Sequence, residues 1–358
     1  MGASLTPKQK KILDFIGGHI GKKRYSPTQE EIARKFKVSA PTVNAYIKIL
    51  VEKGCVQQGA GARNLTITQF PAVAKVVRQF NIGIVGYGIV GQAVQYGFSR
   101  ANVHIYDKYK DTESLAEVVR ASEYLFVCLP TPTMADESGI DVLIVDEAVA
   151  EIAKMVSGTD KIVILKSTIT PGTTKKYIKK HPRLLFCFNP EFLRESSFLS
   201  DFVNTDRIVI GAESDDVFRR ISSLYQSISP NVPIYHTDPT TAEMVKYMAN
   251  CYLATKVIFA NEMYDICEKI GVKYEEVKKM VVADSRIKDS HLDVTTVRGF
   301  GGKCFPKDLL SLRALAKSKG VDTSILDTVW RKNLKLRKIR DWEEIPFAVS
   351  NPGFGKKS

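Results

Sequence analysis

A chain of 358 residues, 44% hydrophobic and 25% charged, is longer than one typical domain and too apolar to be disordered or fibrous. Its longest apolar runs are strand-sized, far below the roughly 20 residues a bilayer demands, and no basic-then-apolar leader opens it. The net charge of +13 is concentrated at one end: residues 1–70 hold 12 Lys/Arg against 4 Asp/Glu, whereas the other 288 carry 40 against 35, which points to a polyanionic partner for an N-terminal module. Six cysteines without a CxxC pair suit reduced thiols, so a soluble cytoplasmic protein is expected.

In chain order, Thr6-Pro7-Lys8-Gln9 supplies a cap, a first-turn proline and a glutamine three residues on, predicting a helix start. Leu5, Ile12, Leu13 and Ile16 then form a stripe that ends at Gly17-Gly18. Ser26-Pro27-Thr28-Gln29 repeats that pattern ahead of Ile32, Ala33 and Phe36, and residues 37–39 read as a tight turn. A third helix follows, with Val43, Ile47, Leu50 and Val51 inward and Thr42, Asn44, Ala45 and Lys48 outward, the short polar and basic side chains that suit a major groove. Residues 56–58 and 65–67 read as a two-stranded wing whose glycine-rich tip carries Arg63. Through LTPKQKKILDFI, YSPTQEEIARKF and SAPTVNAYIKILVEKG the segment resembles the winged helix-turn-helix of the SOS repressor LexA. The resemblance implies DNA as a partner, held by Thr42, Asn44, Ala45, Lys48 and Arg63; a winged helix that binds protein instead stays open. The opening Met-Gly-x-x-x-Thr matches a myristoylation pattern, but Thr6 already has a capping task.

Residues 71–79, with Pro71, read as a linker, and the pattern then changes. A buried-strand run at 80–85 leads into Gly86-Tyr87-Gly88-Ile89-Val90-Gly91 and a helical stretch. Gly86 serves a tight turn, Gly88 lets the backbone approach a pyrophosphate, and Gly91 allows close helix–strand packing. A second strand, 103–106, ends on Asp107 about 20 residues later, where a carboxylate can hold ribose hydroxyls and disfavours a 2′-phosphate. NAD is therefore the expected cofactor, with Lys108 and Lys110 weakening the preference over NADP. Further strands at 124–129, 162–165, 184–188 and 208–210, with helical stretches such as 142–155 between them, imply a Rossmann-like α/β fold with a doubly wound parallel sheet. Polar motifs fall at the strands' carboxyl ends: Pro130-Thr131-Pro132, Lys166-Ser167-Thr168 and Asn189-Pro190-Glu191-Phe192-Leu193-Arg194-Glu195.

From about residue 241 to 270 the period becomes that of one long helix, with Lys246 and Asn250 on the same face. Gly299 to Asp308 then places Cys304 in a glycine-rich loop between Lys303 and Lys307 at a helix start, surroundings that favour a thiolate. Cys128, Cys187, Cys251 and Cys267 sit in apolar strands or the long helix and read as core fillers. No metal site is expected.

The ordered motifs GIVGYGIVG, LPTPT, KSTITPGTT, NPEFLRE, EMVKYMANCYLATK and GFGGKCFPKD resemble the UDP-glucose/GDP-mannose dehydrogenase family over residues 80 to about 340. That resemblance implies two successive NAD-dependent oxidations of a nucleotide sugar's C6 alcohol to a carboxylate, in a homodimer built on the long helix. By motif position Cys304 would be the nucleophile, Lys246 and Asn250 the oxyanion stabilisers, and Thr168, Glu195 and Asp308 the groups that position water and move protons. Cofactor contacts would come from residues 86–91, Asp107, Lys108, Pro130, Thr131, Thr168 and Lys307. Substrate contacts would come from Glu191, Phe192, Leu193, Lys246, Asn250, Phe300, Gly301 and Gly302, with Arg286 reaching the neighbouring subunit's substrate.

Two departures stand out. Only 22 residues separate Asp107 from Pro130, so one strand–helix excursion is expected to be trimmed, and the family's third, nucleotide-gripping domain is not expected in the stretch after residue 340. UDP-glucose is then the default substrate. The expected plan is a winged helix at 1–70, a linker at 71–79, an NAD-binding domain at 80–212, a helical catalytic domain at 213–340 and a tail at 341–358. A rival reading is an NAD(H)-sensing DNA-binding regulator without turnover, although a sensor has no use for Cys304, Lys246, Asn250 and Asp308 together.

Overall fold

A computed structural model of the chain describes residues 6–23, 25–52, 55–59, 64–67, 79–156, 158 and 160–350. The chain divides into two compact units, 1–78 and 79–358. In the first, helix α1 (Pro7–Lys23) starts on the expected box: Gln9 N–H donates to Thr6 Oγ1 at 3.3 Å, and Thr6 N–H donates to Gln9 Oε1 at 2.9 Å. The helix does not stop at Gly17-Gly18. Ile20 packs on the unit's core, and His19 makes edge contacts with Phe15 and Tyr25, so apolar contact offsets the glycine pair's entropy cost.

Helix α2 (Gln29–Phe36) is capped by Thr28 rather than Ser26, in a box with Glu31. Lys37 closes it in the left-handed region at φ 53°. Helix α3 (Ala40–Glu52) buries Val43, Ile47 and Leu50, whereas Val51 lies off that stripe and is 38% exposed. Strands β1 (Val56–Gln58) and β2 (Leu65–Ile67) pair antiparallel as the expected wing. Ser26, displaced from its capping task, accepts Leu65 N–H at 3.2 Å and fixes the wing to the helices. The expected contact residue Arg63, most of the linker and residues 351–358 of the tail lie outside the described residues.

The second unit alternates strand and helix: β3 (Asn81–Val85), α4 (Ile89–Gly97), β4 (Asn102–Tyr106), α5 (Leu115–Ala121), β5 (Tyr124–Val127), α6 (Leu143–Met155), β6 (Ile162–Leu165), α7 (Thr173–Lys180), β7 (Leu185–Phe188), α8 (Phe198–Val203), β8 (Ile208–Gly211), α9 (Asp215–Gln226) and β9 (Ile234–Thr237). The sheet order is β4-β3-β5-β6-β7-β8-β9. Strands β4 to β7 are parallel, but β8 meets β7 antiparallel and pairs in parallel with β9, so the sheet is mixed rather than all parallel. The short 107–130 segment holds only α5 and β5, which leaves β4 at the sheet edge. The chain therefore reverses direction across the sheet between β3 and β5, a crevice where such folds bind ligands.

The sheet does not end at residue 212. Residues 213–237 add α9 and β9 to it, which corrects the expected domain boundary. Among the described residues five helices follow: α10 (Pro239–Ile270), α11 (Tyr274–Val281), α12 (Cys304–Ser318), α13 (Ser324–Leu336) and α14 (Asp341–Glu344). Asp238 caps α10 and Pro239 occupies its first turn. A Cβ on Gly211 would stand 2.6 Å from Ala242 Cβ, so two small residues let α10 lie against the sheet. The buried Glu243 fixes that seat by accepting the N–H groups of Gly172 at 2.5 Å and Thr174 at 2.8 Å. One turn onward, Lys246 is thereby held at the strands' carboxyl ends. Among the described residues no helix is long and apolar enough to cross a membrane.

Candidate active site

The turn after β3 shows why three glycines are needed. Gly86 has φ 95°, and a Cβ there would stand 2.7 Å from the Cys128 carbonyl oxygen. A Cβ on Gly91 would stand 2.2 Å from the Gly86 oxygen, whereas Gly88 faces open space, the condition for a phosphate to approach the backbone at the start of α4. Asp107 follows β4, and its carboxylate accepts the N–H groups of Tyr87 at 2.8 Å and Tyr109 at 3.0 Å, tying the glycine turn to the next loop. Lys110 donates to the Tyr87 carbonyl at 2.5 Å.

These elements border a cavity of about 570 Å³ lined by Gly86, Gly88, Ile89, Val90, Asp107, Lys108, Pro130, Thr131, Thr168, Leu193, Glu191, Glu195, Lys303, Cys304 and Lys307. Tyr87 and Gly91 shape its turn without lining it. A cavity with a glycine-lined helix start, a ribose-height carboxylate and a thiol fits a dinucleotide with its reactive end toward Cys304.

Three further residues support the cavity, two of them from the polar motif at the end of β6. Cys128, expected as core, lines the cavity, and burial pushes its thiol up to about 12. Lys166 is buried behind it, donating to Asn189 Oδ1 at 2.8 Å and the Asn189 carbonyl at 3.2 Å, while Asn189 Nδ2 donates to the Val209 carbonyl at 2.7 Å. Burial pushes the Lys166 ammonium down to about 8. Ser167 accepts Leu129 N–H at 2.8 Å, fixing the ends of β5 and β6 beside Thr168.

Beneath the cavity lies a buried charge cluster. Lys246 Nζ donates to Glu191 Oε1 and to the Glu191 carbonyl, each at 2.7 Å. Burial works against the Lys246 charge, but Glu191, Asp308 and Cys304 outweigh it and raise its pKa. Burial likewise opposes ionised Glu191, and the Lys246 charge and hydrogen bond hold its pKa below the usual value. Asn250 Nδ2 and Lys307 Nζ each donate to the fully buried Asp308 carboxylate at 2.5 Å. Lys246, Asn250 and Asp308 thus underlie Cys304 rather than line the cavity.

Cys304 opens α12 and is accessible from the cleft. The glycine loop before it is gripped from α13 and beyond. Phe300 N–H donates to Asn333 Oδ1 at 2.8 Å, Gly302 N–H donates to Asp341 Oδ2 at 3.2 Å, and Arg337 bonds that same Asp341 oxygen at 3.0 Å. A Cβ on Gly301 would stand 2.3 Å from Asp341 Oδ1. The thiolate expectation is corrected here. The enclosing cleft and the nearby Glu191 and Asp308 charges outweigh Lys246 and Lys307 and push the thiol up to about 11.

Several expected substrate contacts sit elsewhere. Phe300 is buried against Phe305 and Trp330, and a Cβ on Gly301 would meet Asp341 and Arg337, whereas Gly302 opens to free space. Phe192 lies under Arg207, 4.0 Å from ring centre to guanidinium. Arg286, its side chain 87% exposed, forks onto Asp284 outside the cavity. In the first unit Ala45 and Lys48 are exposed and Asn44 half-buried, while the Thr42 hydroxyl lies 2.7 Å from Ser39 Oγ at the start of α3.

Residues 98–229 match the NAD binding domain of the UDP-glucose/GDP-mannose dehydrogenase family, 240–335 match its central domain, and 2–63 match the LexA DNA binding domain. UDP-glucose 6-dehydrogenase of Rickettsia bellii is 37% identical over 244 residues, 66% of this chain and 54% of the relative. The enzyme of that name from Bacillus subtilis is 36% identical over 63% of this chain and 49% of its own length. The chain thus spans about half the length of the curated relatives it matches. A solved UDP-glucose dehydrogenase from Pyrobaculum islandicum superposes with a TM-score of 0.67 at 29% identity, covering 75% of this chain and 70% of that one. A 3-hydroxyisobutyrate dehydrogenase from Mycobacterium tuberculosis, 14% identical with a TM-score of 0.60, shares the fold. The glycine turn, the Asp107 carboxylate and the Cys304 loop thus stand in a chain that belongs, over residues 98–335, to the UDP-glucose/GDP-mannose dehydrogenase family, with NAD as its cofactor and a LexA DNA binding domain ahead of it.

Proposed function

We propose that the second unit is an NAD-dependent nucleotide-sugar 6-dehydrogenase, with UDP-glucose as default substrate, that works in a reducing cytoplasm. The observation that carries this reading is an accessible thiol at the cavity wall above a buried Lys246–Glu191 pair. Residues 80–237 would hold the cofactor, and the helices from 239 onward would carry the chemistry. NAD, when bound, accepts one hydride in each of two oxidations.

The chain's groups manage the rest. A C6 aldehyde formed in the first oxidation is attacked by Cys304: an S–C bond forms as the C=O π bond opens, and the thiol proton ends on the new hydroxyl oxygen. Lys246 offsets the negative charge that develops on that oxygen before the proton arrives, and the buried pair around it needs no reorganisation to do so. Asn250 acts by fixing Asp308 and with it Lys307 at the foot of the loop. As the thiohemiacetal carbon gives up its hydride, its hydroxyl proton passes to solvent, which leaves a thioester. Water, positioned by Thr168 and Glu195 on the cavity wall, then adds to its carbonyl and expels the thiol.

The basic winged helix would bind DNA through α3, and a homodimer would form on the apolar face of α10 that Met248, Tyr252, Phe259 and Ile270 leave exposed. A dimer would also present two recognition helices to a two-fold site.

With NAD and UDP-glucose, two NADH per sugar are expected, and Cys304→Ala is expected to abolish the second. No NADH with any UDP- or GDP-sugar would leave a cofactor-sensing role instead. The full chain is expected to bind duplex DNA less tightly as salt rises, and Lys48→Ala to flatten that salt slope by about one unit; binding absent even at low salt would reject the DNA reading. Sedimentation equilibrium is expected to give twice the 39.9 kDa chain mass, and a monomer at micromolar concentration would remove the dimer.

A further inference from the structure

The chain beyond α13 returns to the cofactor cavity instead of trailing away from it. Trp342 on α14 is buried against Trp330, with ring centres 5.6 Å apart. Past it the chain pairs with the loop that follows Pro130-Thr131. Thr133 N–H donates to the Ala348 carbonyl at 2.9 Å, Ser350 N–H donates to the Thr133 carbonyl at 2.7 Å, and Val349 bridges Thr133 in parallel. Thr133 bridges Ile140 on its other side, so residues around 349 add a third strand-like edge to a small hairpin. The hairpin's Glu137 is in turn held by Arg313 at 2.8 Å and by Trp330 Nε1 at 3.2 Å. This double anchorage fixes residues 345–350 across the rim, where Phe347 and Ala348 join the cavity lining.

Phe347 stands opposite Tyr109, with ring centroids 5.9 Å apart and planes tilted by 38°. Tyr109 lies two residues past Asp107 on the loop that the Asp107 carboxylate organises, and it is 72% exposed. The two rings therefore meet from opposite walls at the ribose-holding end of the cavity. Cys304 belongs to the reactive end, so the base nearest these rings is adenine rather than nicotinamide. Resting on the NAD reading above, we propose that Phe347 and Tyr109 bracket the adenine of the dinucleotide, making the C-terminal residues 345–350 part of the cofactor site.

A base between two rings needs about 7 Å, two stacking layers of roughly 3.5 Å. The exposed Tyr109 ring supplies the missing ångström by swinging outward, while Phe347 stays fixed by the Thr133 pairing. Stacking of this kind reads the π-face that adenine offers, not its hydrogen-bonding edge.

Calorimetric titration of the full chain with NADH, ADP-ribose and nicotinamide mononucleotide tests the assignment without turnover. Phe347→Ala and Tyr109→Ala are each expected to weaken NADH and ADP-ribose alike, by about tenfold for loss of one stacking face, and to leave the mononucleotide unchanged. Phe347→Trp is expected to restore binding. Wild-type affinity for ADP-ribose in Tyr109→Ala, a variant on an exposed loop that need not disturb the fold, would overturn the bracket even if Phe347→Ala were unstable. Wild-type protein that binds neither NADH nor ADP-ribose would instead remove the cofactor reading, and the bracket with it.

Discussion

The buried Lys246–Glu191 pair is the constraint on which the second unit depends. Neither charge can be left alone in that position: removing one partner of a buried pair strands the other, a loss of about 3–5 kcal/mol. The two residues come from parts of the chain 55 apart, Glu191 from the loop after β7 and Lys246 from the second turn of α10. Pairing them requires the sheet to present Glu191 at its carboxyl edge and α10 to lie close against β8. The small residues Gly211 and Ala242 and the Glu243 clamp on α7 provide that approach. Asp308, satisfied by Asn250 and Lys307, then seats the first turn of α12 and the thiol that opens it.

The same arrangement separates the tasks of binding and reaction. The β3–β5 crevice, the glycine turn and Asp107 make a dinucleotide site from backbone geometry, and such a site tolerates wide variation in its surroundings. The reactive end is assembled from loops anchored at several points, with Asn333, Arg337 and Asp341 gripping the 299–302 loop from outside the cavity. Residues after 340 therefore serve the site twice, through Asp341 on the loop and through Phe347 on the rim.

Much of this was legible in the sequence, for reasons of spacing. The glycine turn, Asp107 and the capping residue Thr6 act within a few residues of what they hold, or at a fixed distance along one strand–helix–strand unit. The wing strands at 56–58 and 65–67 were likewise marked by their glycine-rich separation. What was hidden depends on distant partners. The half-exposed Ile234-Tyr235-His236-Thr237 run gave β9 no alternation to betray it, and the reversal of β8 is set by its neighbours in the sheet. Gly17-Gly18 looked like a stop because Ile20 and its contacts lie beyond it. Lys303 and Lys307 suggested a thiolate at 304 because they are adjacent in sequence, whereas the opposing Glu191 charge comes from more than a hundred residues earlier. Phe347 reaches Tyr109 over a still larger separation, and nothing local in the tail signals it.

The rate of Cys304 alkylation by iodoacetamide as a function of pH tests the central claim most directly, because the reagent reports the thiolate in place. An accessible thiol held near a pKa of about 11 is expected to react about tenfold faster with each pH unit, without levelling off below pH 10. Glu191→Gln, by removing a charge that raises the thiol's pKa, is expected to move the curve to lower pH, and Lys246→Met to move it to higher pH. A wild-type curve that levels off below pH 8, or one that neither substitution moves, would contradict the account.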